Sequence, residues 1–218
     1  MTPARSKSKP KGRTASKAFR RQQLIDATID SIARRGLAGT TLADVADGAG
    51  LSRGIVNFHF QSKTALLEDT LRYLAEEYRG TWRAALDKAG PAPIDRLCAL
   101  VEVDLDPKVC NRKKVAVWYA FWGEAKSRPT YLALCGAYDR EYFEALEAIC
   151  WEVVREGPYP ERDGRLIALS LSSMTDGMWQ SLLLNPGDFD RKTAKRACLA
   201  FLATTFPQHL RSDRSSAA

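Results

Sequence analysis

The stretch Thr40–Lys63, TTLADVADGAGLSRGIVNFHFQSK, restricts the fold more than any other part of the chain. Leu42, Val45, Ala46 and Ala49 recur at i, i+3, i+4 and i+7, one apolar face of a helix. Thr41 stands three residues before Asp44, so a hydroxyl and a carboxylate can cap that helix reciprocally. Gly50 permits a turn, and Ser52 is suited to cap a second helix, with Leu51 stapling against Val56. Val56 and Phe60 point inward, leaving Arg53, Asn57 and His59 on other faces. Ser62 caps a third helix, with Lys63 in its first turn. Two short helices at a tight turn, the second carrying cationic and polar groups near its start, form the shape that enters a DNA major groove. The same spacing also describes a hairpin inside an ordinary helical bundle, because this pattern has many false positives.

The rest of the chain repeats the 3.6-residue period without convincing alternating strands, so the expected class is all-α. A first helix runs roughly from Lys17 to Arg35, with Ile25, Ile29, Ile32 and Ala33 as its buried stripe and Gly36 at its C-terminal cap. It should complete a three-helix unit. A long helix from Lys63 to about Ala89 begins inside that unit and ends outside it, a rigid connector stopped by Gly90-Pro91-Ala92-Pro93. Further helices are expected near Pro93–Leu105, Lys108–Lys126, Pro129–Glu156, Asp163–Leu184 and Phe189–Phe206, followed by a frayed tail from Gln208. The organisation expected is a disordered basic arm (1–16), a helix-turn-helix domain (17–63), a helical body for effector binding and dimerisation (64–210) and a disordered tail (211–218).

Charge is placed unevenly. Lys and Arg total 33 against 26 Asp and Glu, yet residues 1–21 hold eight basic residues and no acidic one. The excess therefore sits beside the candidate reading unit, where it suits phosphate contact and counterion release. A solubilising tail has the same composition. The five cysteines (Cys98, Cys110, Cys135, Cys150 and Cys198) form no CxxC pair, and no signal peptide is apparent. Both features fit thiols kept reduced in a cytoplasm. No apolar run approaches a membrane span of about 20 residues. With only His59 and His209, no metal-ligand cluster, nucleophile elbow or phosphate loop is present, so neither catalytic residues, a metal nor a cofactor is expected.

Across residues 17–65 the chain resembles the tetracycline-repressor (TetR) family of bacterial regulators. The residues that carry the likeness are Gly36, Thr40-Thr41, Ala46, Ala49-Gly50-Leu51-Ser52, Gly54, Phe60, Lys63 and Leu66. The resemblance implies a homodimeric repressor on a palindromic operator. The body resembles the choline-responsive branch of that family. This likeness rests on Ala116–Trp122 (AVWYAFW), Arg128-Pro129 with Tyr131, and Asp176-Gly177-Met178-Trp179. Asn57 stands where many members carry a phosphate-touching Tyr, so their operator sequence does not transfer.

For DNA, Arg53 and Asn57 are assigned base reading, because a guanidinium suits guanine and an amide suits adenine. Thr41, Ser52, His59 and Lys63 are assigned the backbone, with Arg20 and Arg21 as outer contacts. A half-buried ring under the third helix is the alternative for His59. For the effector, Trp118, Phe121 and Trp122 lie on one helix, Tyr131, Tyr138 and Tyr142 on the next, and Trp151 and Trp179 add two faces. Such rings can cage a quaternary ammonium, although aromatic stripes at helical spacing usually form core. The expected ligand set is Trp118, Phe121, Trp122, Tyr138, Asp176 and Trp179. Asp176 and Glu124 lead the candidate counter-charges, followed by Asp104 and Glu141. The effector is then choline or another quaternary ammonium, with another organic cation or an aromatic metabolite as the alternative. Dimerisation is expected through Leu166, Leu169, Leu171, Met174, Met178 and Leu182 on one helix and Cys198, Leu199, Phe201, Leu202 and Phe206 on the other. A different class also fits the residues: a ligand-independent protein that binds DNA nonspecifically through its basic arm.

Overall fold

A computed structural model describes residues 16–210, and within them the regular structure is entirely helical. The expected arm, apart from Ser16, and the tail 211–218 lie outside the described residues. Helix α1 spans Lys17–Gly39, and its first turn is capped by the Ser16 hydroxyl, which accepts from Phe19 N–H. Gly36 breaks it at φ 71°, a left-handed conformation that glycine adopts without strain, so the continuous helix stops where the sequence placed its cap. Helix α2 (Leu42–Ala49) carries the reciprocal cap between Thr41 and Asp44, and Gly50 at φ 63° reverses the chain. Helix α3 (Arg53–His59) starts at Ser52, whose hydroxyl accepts from Ile55 N–H. Leu24, Ile25, Ile32, Val45, Val56 and Phe60 are almost wholly removed from solvent, and they join these three helices into one head.

Helix α4 (Lys63–Lys88) leaves the head with Leu66, Leu67 and Leu71 packed beneath it and enters the body with Leu74, Ala75 and Trp82 buried there. The body is built from α5 (Pro93–Asp104), α6 (Arg112–Ala125), α7 (Pro129–Glu156), α8 (Gly164–Leu184) and α9 (Arg191–Thr205). Helix α6 starts four residues later than its periodicity suggested. The carboxylate of Asp106 accepts from Lys108 N–H, and Asn111 caps the helix, so residues 106–110 form a turn. The Arg191 guanidinium holds that turn from α9 by donating to the carbonyls of Leu105 and Cys110. Helix α9 similarly begins at Arg191 rather than Phe189, because Asp190 caps it through Lys192 and Thr193 N–H.

Gln208 and His209, where the segment expected to fray begins, are instead tied down. The Tyr159 hydroxyl accepts from Gln208 N–H and lies 3.0 Å from His209 Nδ1. All five cysteines are buried and none forms a disulfide. Among the described residues no helix is long and apolar enough to cross a membrane, and no cluster of side chains is placed to hold a metal ion.

Candidate DNA-reading surface and effector pocket

Helix α3 displays Arg53 and Asn57 to solvent, and neither side chain has a hydrogen bond among the described residues. The other expected DNA contacts are more committed. Thr41 donates its hydroxyl proton to Asp44 at 2.6 Å and accepts from Asp44 N–H, so its oxygen serves the cap first. Ser52 likewise caps α3. The Lys63 ammonium donates to the Ala38 carbonyl at 3.2 Å and stays half-exposed. Arg20 is bonded to Gln23, and Arg21 forms an ion pair with Asp69 of α4 at 2.6 Å while covering the Phe60 ring.

His59 is half-buried beside Phe58 and Phe60. Its pKa is lowered from 6.5, first by burial and then by the positive fields of Lys17 and Arg21. Phe58 is the residue on this face that the sequence reading passed over. It is 71% exposed, next to Asn57, with the Lys17 ammonium 5.5 Å above its ring. Its position off the Val56–Phe60 apolar face was the available signal.

A cavity of about 380 Å³ opens in the body between α4, α5, α6, α7 and α8. That is the size range of small-molecule sites. Five of the six expected ligand residues line it: Trp118, Trp122, Tyr138, Asp176 and Trp179. Phe121 does not, because it turns to the opposite side of α6, where it is fully buried edge-on against Tyr131. Tyr131 is core for the same reason, and Trp151 lies outside on α7, against Gly164. Glu124 and Glu141 are also corrected: Glu124 pairs with Arg128, and Glu141 pairs with Arg79 and Arg83, so neither faces the cavity.

The acidic residues that do face it are Asp104, Asp139 and Asp176. Asp104 forms the floor and is only 3% exposed. Its two oxygens accept from Tyr78 and Tyr142 at 2.7 and 2.6 Å, and its backbone carbonyl accepts from the Trp179 indole at 2.7 Å. Burial pushes its pKa up to about 6, a rise that the hydrogen bonds from Tyr142, Tyr78 and Thr175 restrain. Asp139 and Asp176 stand nearer solvent. Asp139 is raised to about 6 by desolvation and by Asp176, and Asp176 is raised by desolvation. Among the described residues none of the three forms an ion pair, whereas other acids supply ten. The sequence could not rank Asp104 first, since its burial depends on four other helices closing over it.

The side chains expected at the α8 and α9 interface are of two kinds. Leu171, Leu182, Cys198, Leu202 and Phe206 are buried within the chain, and Met174, Met178, Leu199 and Phe201 pack partly against the same core. Leu166 and Leu169 are exposed, as is Leu184 further along α8.

A head able to present one helix to DNA, joined by α4 to a body with a ligand-sized cavity, is the organisation of a transcriptional regulator that senses small molecules directly. Residues 24–70 match the model of the tetR family of bacterial regulatory proteins, and residues 93–207 match that of the BetI-type transcriptional repressor C-terminal domain. The chain belongs to the TetR family of DNA-binding transcriptional repressors, and its body is of the BetI type. It is 37% identical to the HTH-type transcriptional regulator BetI of Burkholderia thailandensis, over 81% of this chain and 88% of that one. The BetI of Stenotrophomonas maltophilia is 33% identical, over 84% and 91%. These relatives are regulators, not enzymes. Among solved structures, a transcriptional regulator of Pseudomonas aeruginosa PAO1 superposes with a TM-score of 0.78 at 26% identity, covering 91% of this chain and 95% of that one. A regulator of Saccharomonospora viridis, solved in complex with choline, has the same fold at a TM-score of 0.76 and 22% identity, covering 85% and 96%.

Proposed function

We propose that this repressor is released from, or recruited to, its operator by a small organic cation, choline being the first candidate. The observation that carries the reading is the cavity itself: aromatic walls above a buried carboxylate, with no basic side chain among the described residues paired to any of its three acids. Ring faces attract an alkylated ammonium by about 0.5–2 kcal/mol per good contact. A carboxylate behind them supplies the counter-charge that an apolar box lacks. The ligand roles go to Trp118, Trp122, Tyr138, Asp176 and Trp179, joined by Tyr78, Asp104 and Tyr142. That the S. viridis neighbour holds choline supports the choice of probe.

On the DNA side, Arg53 and Asn57 are the base readers. Lys63 and His59 contact the backbone, with Ser52, Thr41, Arg20 and Arg21 as outer contacts. The head ends, and the effector body begins, at the start of α4. Two copies pair through the outer faces of α8 and α9 and place two heads on one operator in the cytoplasm.

The test is fluorescence anisotropy with a duplex from the gene's own upstream region, random DNA as the competitor, and choline titrated in at fixed physiological salt. Selective binding that changes with choline supports the reading. Selective binding that ignores choline and every other organic cation tried would overturn the effector assignment and leave the repressor. Equal affinity for both duplexes, repeated with an operator selected in vitro, would indicate nonspecific binding through the basic arm.

A further inference from the structure

The floor and mouth of the cavity carry more negative charge than one cation neutralises. Asp104, Asp139 and Asp176 face it, and Arg140 is the only basic residue on its wall. Fully ionised, the lining has a net charge of −2. The deep acid and the outer two differ in setting. Asp104 lies behind the phenols of Tyr78 and Tyr142, which donate to it. Asp139 and Asp176 have no hydrogen bond or ion pair to their carboxylates among the described residues, and the charge of Asp176 helps raise the pKa of Asp139. Two like charges left facing one space repel, and the chain holds them there at a cost. A compact monocation in the aromatic box would screen the floor and leave the mouth uncompensated.

We infer that the effector is an elongated dication, with one substituted ammonium inside the aromatic box over Asp104 and a second cationic group between Asp139 and Asp176. This rests on the organic-cation reading above and moves the leading candidate from choline, a monocation, to a longer dication. The cavity volume of about 380 Å³ corresponds to roughly a dozen water-sized groups of about 30 Å³, more than a compact ammonium fills. The deep group is N-alkylated, because the walls offer ring faces and the oxygens of Asp104 already accept from two phenols. The outer group can be an alkylated or a bare ammonium, since exposed carboxylates serve either.

Isothermal titration of the full chain at pH 7.5 and fixed salt tests this with three probes. These are an alkyltrimethylammonium ion, a bis(trimethylammonium) alkane of the same span, and a protonated diamine of that span. The matched monocation controls for apolar area. The bis(trimethylammonium) alkane should bind about tenfold more tightly than the monocation, and more tightly than the diamine. Asp139→Asn and Asp176→Asn should each weaken that dication about fivefold, as expected for losing a partly exposed charge partner. Asp139→Asn should leave the monocation within twofold, and neither substitution should lower the melting temperature, because each removes a charge that burial disfavours. Equal affinity for the bis(trimethylammonium) dication and the monocation, or an Asp139→Asn variant that weakens all probes alike, would overturn the dication and leave the cation reading standing. No binding of any probe would overturn both.

Discussion

Asp104 is kept in a setting where its charge is expensive, and that expense has a measurable sign. Its carboxyl is buried at the floor of the cavity with a pKa raised from 3.8 to about 6. The folded chain therefore holds this proton more tightly than the unfolded one. The stability it contributes is full below about pH 3.8 and is lost as the pH rises through about 6. The gap corresponds to roughly 3 kcal/mol forgone at neutral pH. Asp104→Asn keeps the shape and can still meet both phenols, since an amide donates and accepts. It should raise the melting temperature by several degrees at pH 7.5 and show little gain at pH 4.5. The same variant should bind an organic cation at least tenfold more weakly in a calorimetric titration. If it neither gained stability nor lost ligand, the floor acid would have no part in the site.

His59 makes the opposite case at the other site. Burial, Lys17 and Arg21 hold it neutral below the ordinary 6.5 in the free head. A DNA phosphate brought beside it opposes those cations and favours the imidazolium. Binding then takes up a proton, so operator affinity should strengthen as the pH falls through the region around 6.5. His59→Gln should flatten that dependence in anisotropy titrations run across pH at constant salt.

At the scale of the element, α4 links the two sites. It begins at Lys63 against the head, pairs Asp69 with Arg21 of α1, and places Tyr78 in the cavity wall as its only lining residue. The Tyr78 hydroxyl binds Asp104 of α5, and its ring meets Trp179 of α8 edge-on at 6.0 Å. A cation settling on these rings acts on α4 directly, and it can shift the head only by the difference between its affinities for the two packings. Tyr78→Phe keeps the ring face and removes the tie to Asp104. It should bind the effector with affinity changed less than threefold, while the effector's influence on DNA affinity falls by about tenfold, within the usual 1–3 kcal/mol of such coupling. Full coupling in that variant would locate the signal path elsewhere, as in the α1–α6 contact where Lys113 pairs with Asp30.

The helices themselves were legible because their signals are local. The Thr41–Asp44 cap, Gly36, Gly50 and Ser52 each act within four residues, and each does in the structure what its spacing implied. The cavity was legible only in part. Trp118 and Trp122 face it at i, i+4, yet Phe121 between them faces the core. One helix cannot tell from its own sequence which apolar side meets ligand and which meets a neighbour. The acids were harder still. By sequence Glu124 is as apt as Asp176, but Arg128, one turn on, occupies it.

For the whole molecule, the question is what covers the outer side of α8. This helix is apolar on two sides. Ile167, Ala168, Leu171, Trp179 and Leu182 face the core, while Leu166, Leu169 and Leu184 are more than half exposed along the opposite stripe. Ser173 and Gly177 lie between them, small enough for a second helix to approach closely. Exposed leucines on a repeating helical face, in a family whose members act as dimers, are the pairing surface we propose. The two kinds of leucine make separable predictions. Leu171→Ala empties core space and should cost about 2–5 kcal/mol of stability with assembly unchanged. Leu169→Arg should leave the fold intact and shift the chain toward its 24.2 kDa monomer in light scattering. It should also weaken operator binding by about 10²-fold or more, because one head loses the effective concentration that its tethered partner supplies on a two-fold site. A dimer unaffected by arginine at 169, with the fold unchanged, would place the interface off this stripe and leave the exposed leucines without a partner.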